Sequence, residues 1–336
     1  MPFFSVIIAT RDRPALAREA FESVLAQDCT DLEVVIVDDG SAEENRPLYE
    51  TWMGPARERL GERLQVHRLV RRPNGHGPSY SVNSGASMAR GEYIALLDDD
   101  DSWTDAGHLG RAKKALSAAG NADLYMTNQQ AFLLGAPLGE RLWLAGLEGQ
   151  LRQAGRQPDA AGTFRVSVEE LSRAGGFCHM NCLIVRKALY ERIGGMDEAI
   201  RWEGDRDLFL RLIDQAGTML HNPAVVARHN VPDPAKKANV TTATPMLLKR
   251  LDQLRVVEKA ALFSKRETIR REGFRHRGFV LKKIADELAA AGDWAAAGRY
   301  ARSALGAGPS AGWAAKMAWY SLKGLVSPRQ GRAPAE

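Results

Sequence analysis

The sequence predicts an α/β protein: a mostly parallel sheet flanked by helices, followed by a helical C-terminal region. Three observations predict it. Short apolar, β-branched runs alternate with helical stretches through the first half, which argues for parallel strands covered on both faces. Several of those runs end abruptly in aspartates. Beyond residue 245 the chain becomes Ala-, Lys- and Arg-rich with helical spacing. A length of 336 residues, with 45 % hydrophobic and 26 % charged, excludes a disordered, collagenous or fibrous chain and suffices for a sizeable core. The net charge of +5 hides an asymmetry: residues 246–336 hold 18 Lys+Arg against 8 Asp+Glu, leaving a net of −5 for the first 245. An acidic body precedes a basic tail.

Taken in order, residues 3–9 (FFSVIIA) read as a first strand, and Pro14 opens a helix over 15–27. LEVVIVDDGS is a second buried strand ending in a polar turn, followed by a helix over 43–63 and a weaker third strand, LQVHRLV. The turn 74–77 leads into a helix over 79–89, and EYIALL is a fourth strand that stops at four aspartates. A helix over 105–119 and a strand over 123–127 come next. No regular pattern is legible over the Gly-rich segment 129–176, which reads as a long functional loop. Regularity returns with CLIVRKALYERIGG and a helix over 206–215. Residues 231–245 carry three prolines and read as a linker, 246–326 as a helical region, and 327–336 as a disordered tail. GDWAAAGRYARSALGAGPS resembles one helix pair of a tetratricopeptide repeat, but a single copy is better read as part of a small helical appendage.

LLDDDDSW is the most informative string. Asp98, Asp99, Asp100 and Asp101 emerge at the carboxyl end of a buried strand, where open α/β sheets bind ligands. Adjacent carboxylates repel, and a hard divalent cation such as Mg²⁺ or Mn²⁺ offsets that repulsion. Asp98, Asp99 and Asp100 therefore form a candidate D-x-D site. The structural alternative is a solvated turn in which Asp101 caps the next helix. VVIVDDGS repeats the logic, with Asp38 and Asp39 placed to accept from a nucleobase or ribose, or to make an Asp-Gly turn. In ATRDRP, Thr10 and Asp12 are placed to meet a nucleoside, or Asp12 to cap the helix near Pro14.

Four strings together, SVIIATRDRP, VVIVDDGS, PNGHGPSYSVNSGASMARGEYIALLDDDDSW and IGGMDEAIRWEGDRDLFLRL, resemble the family 2 glycosyltransferases in order and spacing over residues 3–229. The resemblance implies a GT-A-like, Rossmann-type fold. It also implies a nucleotide-diphosphate sugar donor, with a UDP-sugar expected, a Mn²⁺ or Mg²⁺ cofactor, and inverting transfer to a glycan or lipid-linked acceptor. It makes residues 1–230 the catalytic domain. Matched position by position, Thr10, Asp12 and Asp39 fall at the nucleoside pocket. Asn74, Gly77 and Asn83 match the central turn and helix, and Asp98, Asp99 and Asp100 the D-x-D, with Asp98 and Asp100 on the metal. Asp205 aligns with the catalytic base, with Glu203 as the fallback, and His229 falls near the diphosphate or metal. His179 lies on the strand that matches the family's acceptor-facing one, to line that pocket or to be a hydrogen-bonded structural histidine; Trp202, beside the acidic string, is placed to stack on the acceptor sugar or to be buried. Two positions depart from the family pattern: Val82 replaces its arginine, so that Arg71, Arg72 or His76 would supply positive charge, and Gly204 replaces its glutamate.

Asp207 and Arg211, four apart, are expected to form an ordinary surface ion pair. Trp103 is expected to be buried, and His67, His108, His221 and His276 to be structural or solvent-facing. Cys29, Cys178 and Cys182 read as reduced thiols, and the N-terminus has no basic region ahead of its short apolar run. With no run of about 18 apolar residues, a cytoplasmic protein is expected. The basic helices, with Trp313, Trp319 and Leu322 at helical spacing, read first as amphipathic helices packed on their neighbours with lysines in water, and otherwise as contact with the inner face of a membrane or a second copy of the chain. No nucleic-acid module is apparent. Two rival functions stay open at this point: a sugar nucleotidyltransferase, and a non-catalytic nucleotide-binding interaction protein.

Overall fold

The computed structural model describes residues 1–139, 143–233, 235 and 240–326. The tail expected over 327–336 and part of the 231–245 linker lie outside the described residues. The chain forms two compact units, Met1–Thr242 and a second starting at Ala243.

In chain order the first unit contains β1 (Phe4–Thr10), α1 (Pro14–Leu25), β2 (Leu32–Asp38), α2 (Arg46–Leu60), β3 (Leu64–Arg68), α3 (Pro78–Met88), β4 (Tyr93–Asp98) and β5 (Ser102–Trp103). It continues through α4 (His108–Ala118), β6 (Leu124–Leu133), β7 (Ala136–Pro137), α5 (Ala145–Gln153), β8 (Phe164–Val166), α6 (Val168–Ala174), β9 (Leu183–Arg186), α7 (Lys187–Arg192), α8 (Gly204–Gln215) and β10 (Met219–Asn230), with α9 (Val240–Ala243) at the boundary. The sheet runs β3-β2-β1-β4-β9-β6-β10-β5, with β7 on β6 and β8 on β10. The long pairings, β3 with β2, β2 with β1, β1 with β4, and β6 with β10, are parallel. β9 joins the two parallel sets by pairing antiparallel to β4 and β6. The architecture is the mostly parallel, helix-flanked α/β sheet expected from the alternation.

Register places the site. Thr10 pairs with Asp38, and Ala9 with Asp98, so β1, β2 and β4 end level with one another. The strands read as unbroken apolar runs because both faces are covered. Ile7 of β1 and Val37 of β2 face α3, where a Cβ on Gly85 would lie 2.6 Å from Ile7 Cγ2. Thr10, three residues from Ile7 and so on the opposite face, bonds the Tyr49 hydroxyl of α2 at 2.9 Å. Each fully buried Val, Ile or Leu here contributes about 1.5–3 kcal/mol.

The structure corrects several expectations. Segment 129–176 is not one irregular loop: β6 runs on to Leu133, and α5, β8 and α6 follow. Gln129 is fully buried in β6, where Asn181 Nδ2 donates to its Oε1 at 3.1 Å while its Nε2 has no partner. α6 starts with a reciprocal capping box between Ser167 and Glu170. The twelve-residue β10 was not anticipated, since Pro223 and two register irregularities break its period-2 pattern. Asp101 caps no helix: α4 begins at His108, and Asp101 is buried. Asp12 does not cap α1, whose N-cap is Arg13. Asp207 is buried rather than on the surface. It holds Arg211 at 2.6 Å, and Arg211 also donates to the Ile193 and Gly195 carbonyls. Part of the expected linker is the helix α9.

The second unit contains α10 (Met246–Phe263), α11 (Glu267–Ala290), α12 (Trp294–Ala307) and α13 (Ala311–Val326), each packed on the next. Small residues allow close approach: Ala297, Ala301 and Ala304 are fully buried on α12. Trp313 and Tyr320 fill the core beside them, and Trp313 Nε1 donates to the Ala301 carbonyl at 2.9 Å. Trp319, Leu322 and Leu325 are exposed. Among the described residues no helix is long and apolar enough to cross a membrane.

Candidate active site

The carboxyl ends of β1 and β2 carry a network built on aspartates. Thr10 is buried between Tyr49 and the acidic end of β4. Asp12, at φ 56°, accepts from the Ala42 amide at 2.6 Å and from Asn45 Nδ2 at 3.0 Å. Burial raises its pKa, but those bonds and the Arg71 and Arg11 guanidiniums outweigh it, and the carboxyl lies below its ordinary value. Asp38 closes its own turn by accepting from the Ser41 amide at 2.8 Å. Asp39 organises the turn before α3. Its carboxylate accepts from the His76 amide at 2.8 Å and the Gly77 amide at 3.1 Å, and meets His76 Nδ1 at 2.8 Å. Gly77 takes φ 105° there, a conformation that favours glycine. The Asn74 carbonyl of this turn accepts from Arg201 Nη1 at 3.4 Å.

Asn83, on α3, has a different task. Its Nδ2 donates to the Met196 carbonyl and to Glu198, both at 2.9 Å, and its Oδ1 accepts from the Tyr190 hydroxyl and the Met196 amide, both at 2.8 Å. The amide is fully committed to clamping the segment before α8, so it is a positioning element rather than a free donor. Val82, at the position where an arginine would be expected, is buried.

The end of β4 is a cluster of carboxylates with little compensation. Arg13 Nη1 donates to Asp100 Oδ2 at 2.8 Å and lies 3.2 Å from Asp99 Oδ1. Asp99 Oδ2 is buried without a partner. Burial and the neighbouring carboxylates push Asp98 well above its ordinary pKa, and burial pushes Asp99 to about 7 against the pull of Arg13. Asp100 is raised for the same reason, burial first and Asp101 next. Asp101 is instead fully bonded: Oδ2 accepts from Asn181 Nδ2 at 2.5 Å and meets His229 Nδ1 at 2.7 Å, while Oδ1 accepts from the Asn230 amide at 2.6 Å. Asn181 Oδ1 in turn accepts from the Asp98 amide at 2.9 Å, and its carbonyl accepts from the indole of the buried Trp103 at 2.9 Å.

α8 and β10 close the site from the second half of the sheet. Glu203 is the N-cap of α8 and holds the left-handed conformation at φ 64°, uncommon for a residue with a Cβ. Trp202 beside it is half-buried, and Asp205 lies in the first helical turn, so it is not the N-cap. Asp205 Oδ2 lies 3.7 Å from His179 Nε2, which is 3.9 Å from Asp98 Oδ2. Ligand atoms of Asp101, His179 and His229 all lie within 4.8 Å of one another. Trp143 packs edge-on against both imidazoles, at 5.7 Å from His179 and 5.2 Å from His229.

The signature of Glycosyl transferase family 2 matches residues 5–190, more than half of the chain. The chain belongs to this family. Family 2 relatives include the PGL/p-HBAD biosynthesis glycosyltransferase of Mycobacterium bovis, 32% identical over 123 residues, 37% of this chain and 45% of that protein. Succinoglycan biosynthesis protein ExoW of Rhizobium meliloti is 30% identical over 199 residues, 56% of each chain. The chain thus spans about half the length of these relatives. S. aureus TarS 1–349 in complex with UDP-GlcNAc shares the fold, with a TM-score of 0.63 at 14% identity, covering 97% of this chain and 88% of that one. Mannosyltransferase PcManGT from Pyrobaculum calidifontis, in complex with GDP-Man and Mn²⁺, has a TM-score of 0.58 at 20% identity, covering 97% and 86%. The GT-A-like fold expected from the sequence is the fold observed.

In this family 2 chain the residues present fit a divalent cation. A buried carboxylate oxygen without a partner, neighbouring carboxylates whose pKa values are raised by burial and by one another, and two imidazoles within reach form an oxygen- and nitrogen-donor set. The structure brings Asp98, Asp205 and His179 together. His229 is placed with Asp101, and Thr10 with the β4 aspartates. Asp12, Asp39, Asn74 and Gly77 line a neighbouring turn system, and Asn83 is directed to the Met196 segment. Sequence reasoning passed over Arg13, Trp143 and Asn181, and read Asp101 only as a strand-end carboxylate or helix cap. Arg13 was the one legible signal, a cation in the strand-end string ATRDRP. The other three gain meaning only from partners far away in sequence.

Proposed function

We propose that the first unit, essentially residues 1–230, is an inverting glycosyltransferase. It moves a sugar from a nucleotide-diphosphate sugar to a hydroxyl of a glycan, polysaccharide or glycolipid. The observation that carries this reading is the meeting of Asp205 from α8 with the acidic end of β4, through His179. In this reading Asp205 is the base: its carboxylate takes the acceptor hydroxyl proton as that oxygen attacks the anomeric carbon from the face opposite the nucleotide. Glu203, held beside it, is the second carboxylate at the acceptor side, and His179 and Trp202 line the acceptor pocket. Thr10, Asp12, Asp39, Asn74 and Gly77 bind the nucleoside and turn side of the donor. Asp98, Asp100 and His229 would hold Mn²⁺ or Mg²⁺, with Asp99 beside them, and the ion would supply charge stabilisation to the departing diphosphate. The neighbours that bind UDP-GlcNAc, or GDP-Man with Mn²⁺, support this class of ligand. A relative that acts as a GalNAc(5)-diNAcBac-PP-undecaprenol beta-1,3-glucosyltransferase supports a lipid-linked acceptor. We take a UDP-sugar as the donor.

Calorimetry with uridine diphosphate, guanosine diphosphate and their sugars, with and without Mn²⁺, tests the donor side. Tighter uridine diphosphate binding with Mn²⁺ is expected, and no nucleotide binding under either condition would overturn the proposal. Product analysis separates sugar transfer, which releases a nucleoside diphosphate, from nucleotidyl transfer, which releases pyrophosphate. Binding without turnover would favour the non-catalytic alternative.

For the helical second unit we propose recruitment to an anionic membrane face, placing the enzyme on the cytoplasmic side. Exposed Trp319, Leu322, Phe274 and Phe279, together with the net charge of +10 over residues 246–336, support this. Sedimentation with phosphatidylglycerol vesicles tests it. Self-association without vesicle binding would assign the face to a homo-oligomer.

A further inference from the structure

His179 and His229 lie side by side, ring centroids 4.8 Å apart. Each has one ring nitrogen facing a group of fixed polarity. At His179, Nδ1 accepts from the main-chain N–H of Asn181 at 3.4 Å. A backbone amide nitrogen only donates, so Nδ1 of the neutral ring carries the lone pair and the proton sits on Nε2. That N–H stands 3.7 Å from Asp205 Oδ2 and 3.9 Å from Asp98 Oδ2.

At His229 the polarity reverses. Nδ1 meets Asp101 Oδ2 at 2.7 Å. The Asp101 carboxylate also accepts from Asn181 Nδ2 and from the Asn230 amide, so it is an acceptor on every side. The proton of the neutral ring is therefore on Nδ1, and the lone pair is on Nε2. One residue, Asn181, supports both assignments, the first through its backbone and the second through its side chain. Trp143, edge-on to both rings at interplanar angles of 65° and 83°, restricts their rotation.

We propose that the two imidazoles are locked in opposite tautomers, and that His179 is the positioning residue for Asp205. Its Nε2–H holds the carboxylate in the orientation that receives the acceptor proton, while His229 presents a lone pair and cannot substitute for it. This rests on reading Asp205 as the base. At 3.7 Å the pair is longer than a hydrogen bond, as catalytic contacts often are before substrate tightens them.

Two measurements on the full chain test this. Long-range ¹H–¹⁵N correlation spectra with labelled histidine, recorded without metal at alkaline pH, report the tautomer of each ring directly. Nε2–H is expected for His179 and Nδ1–H for His229; the same tautomer on both rings, or the reverse pattern, overturns the inference. In parallel, His179→Gln carries its amide near the position of Nε2, and His179→Asn carries it near Nδ1. Expected is a fall in kcat of about 10-fold or less for Gln and about 100-fold for Asn, with donor KM within about twofold in both. Equal losses in the two variants, or a loss confined to KM, overturn the positioning role. Full activity of Asp205→Asn would sink the base assignment instead and leave the tautomers as found, so the two failures are distinguishable.

Discussion

Two sets of buried carboxylates in the same sheet have opposite surroundings. Glu33, near the amino end of β2, is fully buried and completely bonded. Its oxygens accept from Ser5 Oγ and the Arg90 amide at 2.6 Å, from Arg90 Nε at 2.7 Å and from Gln65 Nε2 at 3.0 Å. Burial raises its pKa, but Ser5 and Arg90 outweigh burial and the carboxyl lies below its ordinary value. Asp98 and Asp99, at the carboxyl end of β4, share one guanidinium with Asp100, leave one oxygen without a partner, and are pushed upward. Glu33 is a finished structural joint. In the proposed reading the β4 end is a charge arrangement that a cation and a diphosphate would complete, which would separate stability from function within one fold.

Five measurements break or sharpen that comparison. The largest effect belongs to Asp205→Asn: transfer is expected to fall about 10³-fold with donor affinity preserved within about twofold, read from initial rates and calorimetry. Unchanged rates would remove the functional half of the contrast. Next, Glu33→Gln is expected to destabilise the first unit by about 2–3 kcal/mol in urea titration, because the Arg90 guanidinium and amide lose a charged acceptor.

The same carboxylate-to-amide change at Asp99 is expected to carry the opposite sign. Asp99 has a folded pKa near 7, above the ordinary 3.8. Its proton-linked contribution is therefore fully present below 3.8 and lost as pH rises through 7. Asp99→Asn should stabilise the metal-free protein by about 1 kcal/mol at about pH 8, and Mn²⁺ should erase that advantage. A destabilised Asp99→Asn would show that the cluster is as settled as Glu33.

Two buried histidines set the acid side. His108 leaves both ring nitrogens without a partner, and burial lowers His108 to about 3 and His221 to about 4. The unfolded chain binds protons from near pH 6.5, so stability should drop as pH falls below that value, with a slope of up to about 1.4 kcal/mol per pH unit for each ring. His108→Phe should flatten this limb in thermal melts, and an unaltered slope would assign acid lability elsewhere. The smallest effect lies in the second unit. Tyr320 donates to Asp286 at 2.8 Å near the surface, and Tyr320→Phe should cost about 0.5 kcal/mol of that unit's stability without changing turnover.

Much of the first unit was legible because its strands are buried on both faces and so read as unbroken apolar runs, as in VVIVDD. β10 was not legible, because its polar residues and Pro223 sit at register irregularities that only pairing with β6 explains. The segment after Gln129 hid a capping box, Ser167 to Glu170, whose S-x-x-E spacing was available but overlooked. Asp39 was legible as a strand-end carboxylate. Its grip on the 74–77 turn was not, since the partners are nearly forty residues away.

By itself the sequence determined the alternating α/β order, the division between an acidic body and a basic helical tail, and the aspartates at which strands stop. These follow from local periodicity and from the fixed rise of a strand, which needs no knowledge of distant partners. Only the tertiary structure decided which of four adjacent aspartates is satisfied and which are strained. It brought His229 to Asp101 across 128 positions and His179 to Asp205 across β9, α7 and the start of α8. Hydrogen-bond direction and burial are properties of neighbours in space, and a carboxylate's chemistry depends on them more than on its place in the chain.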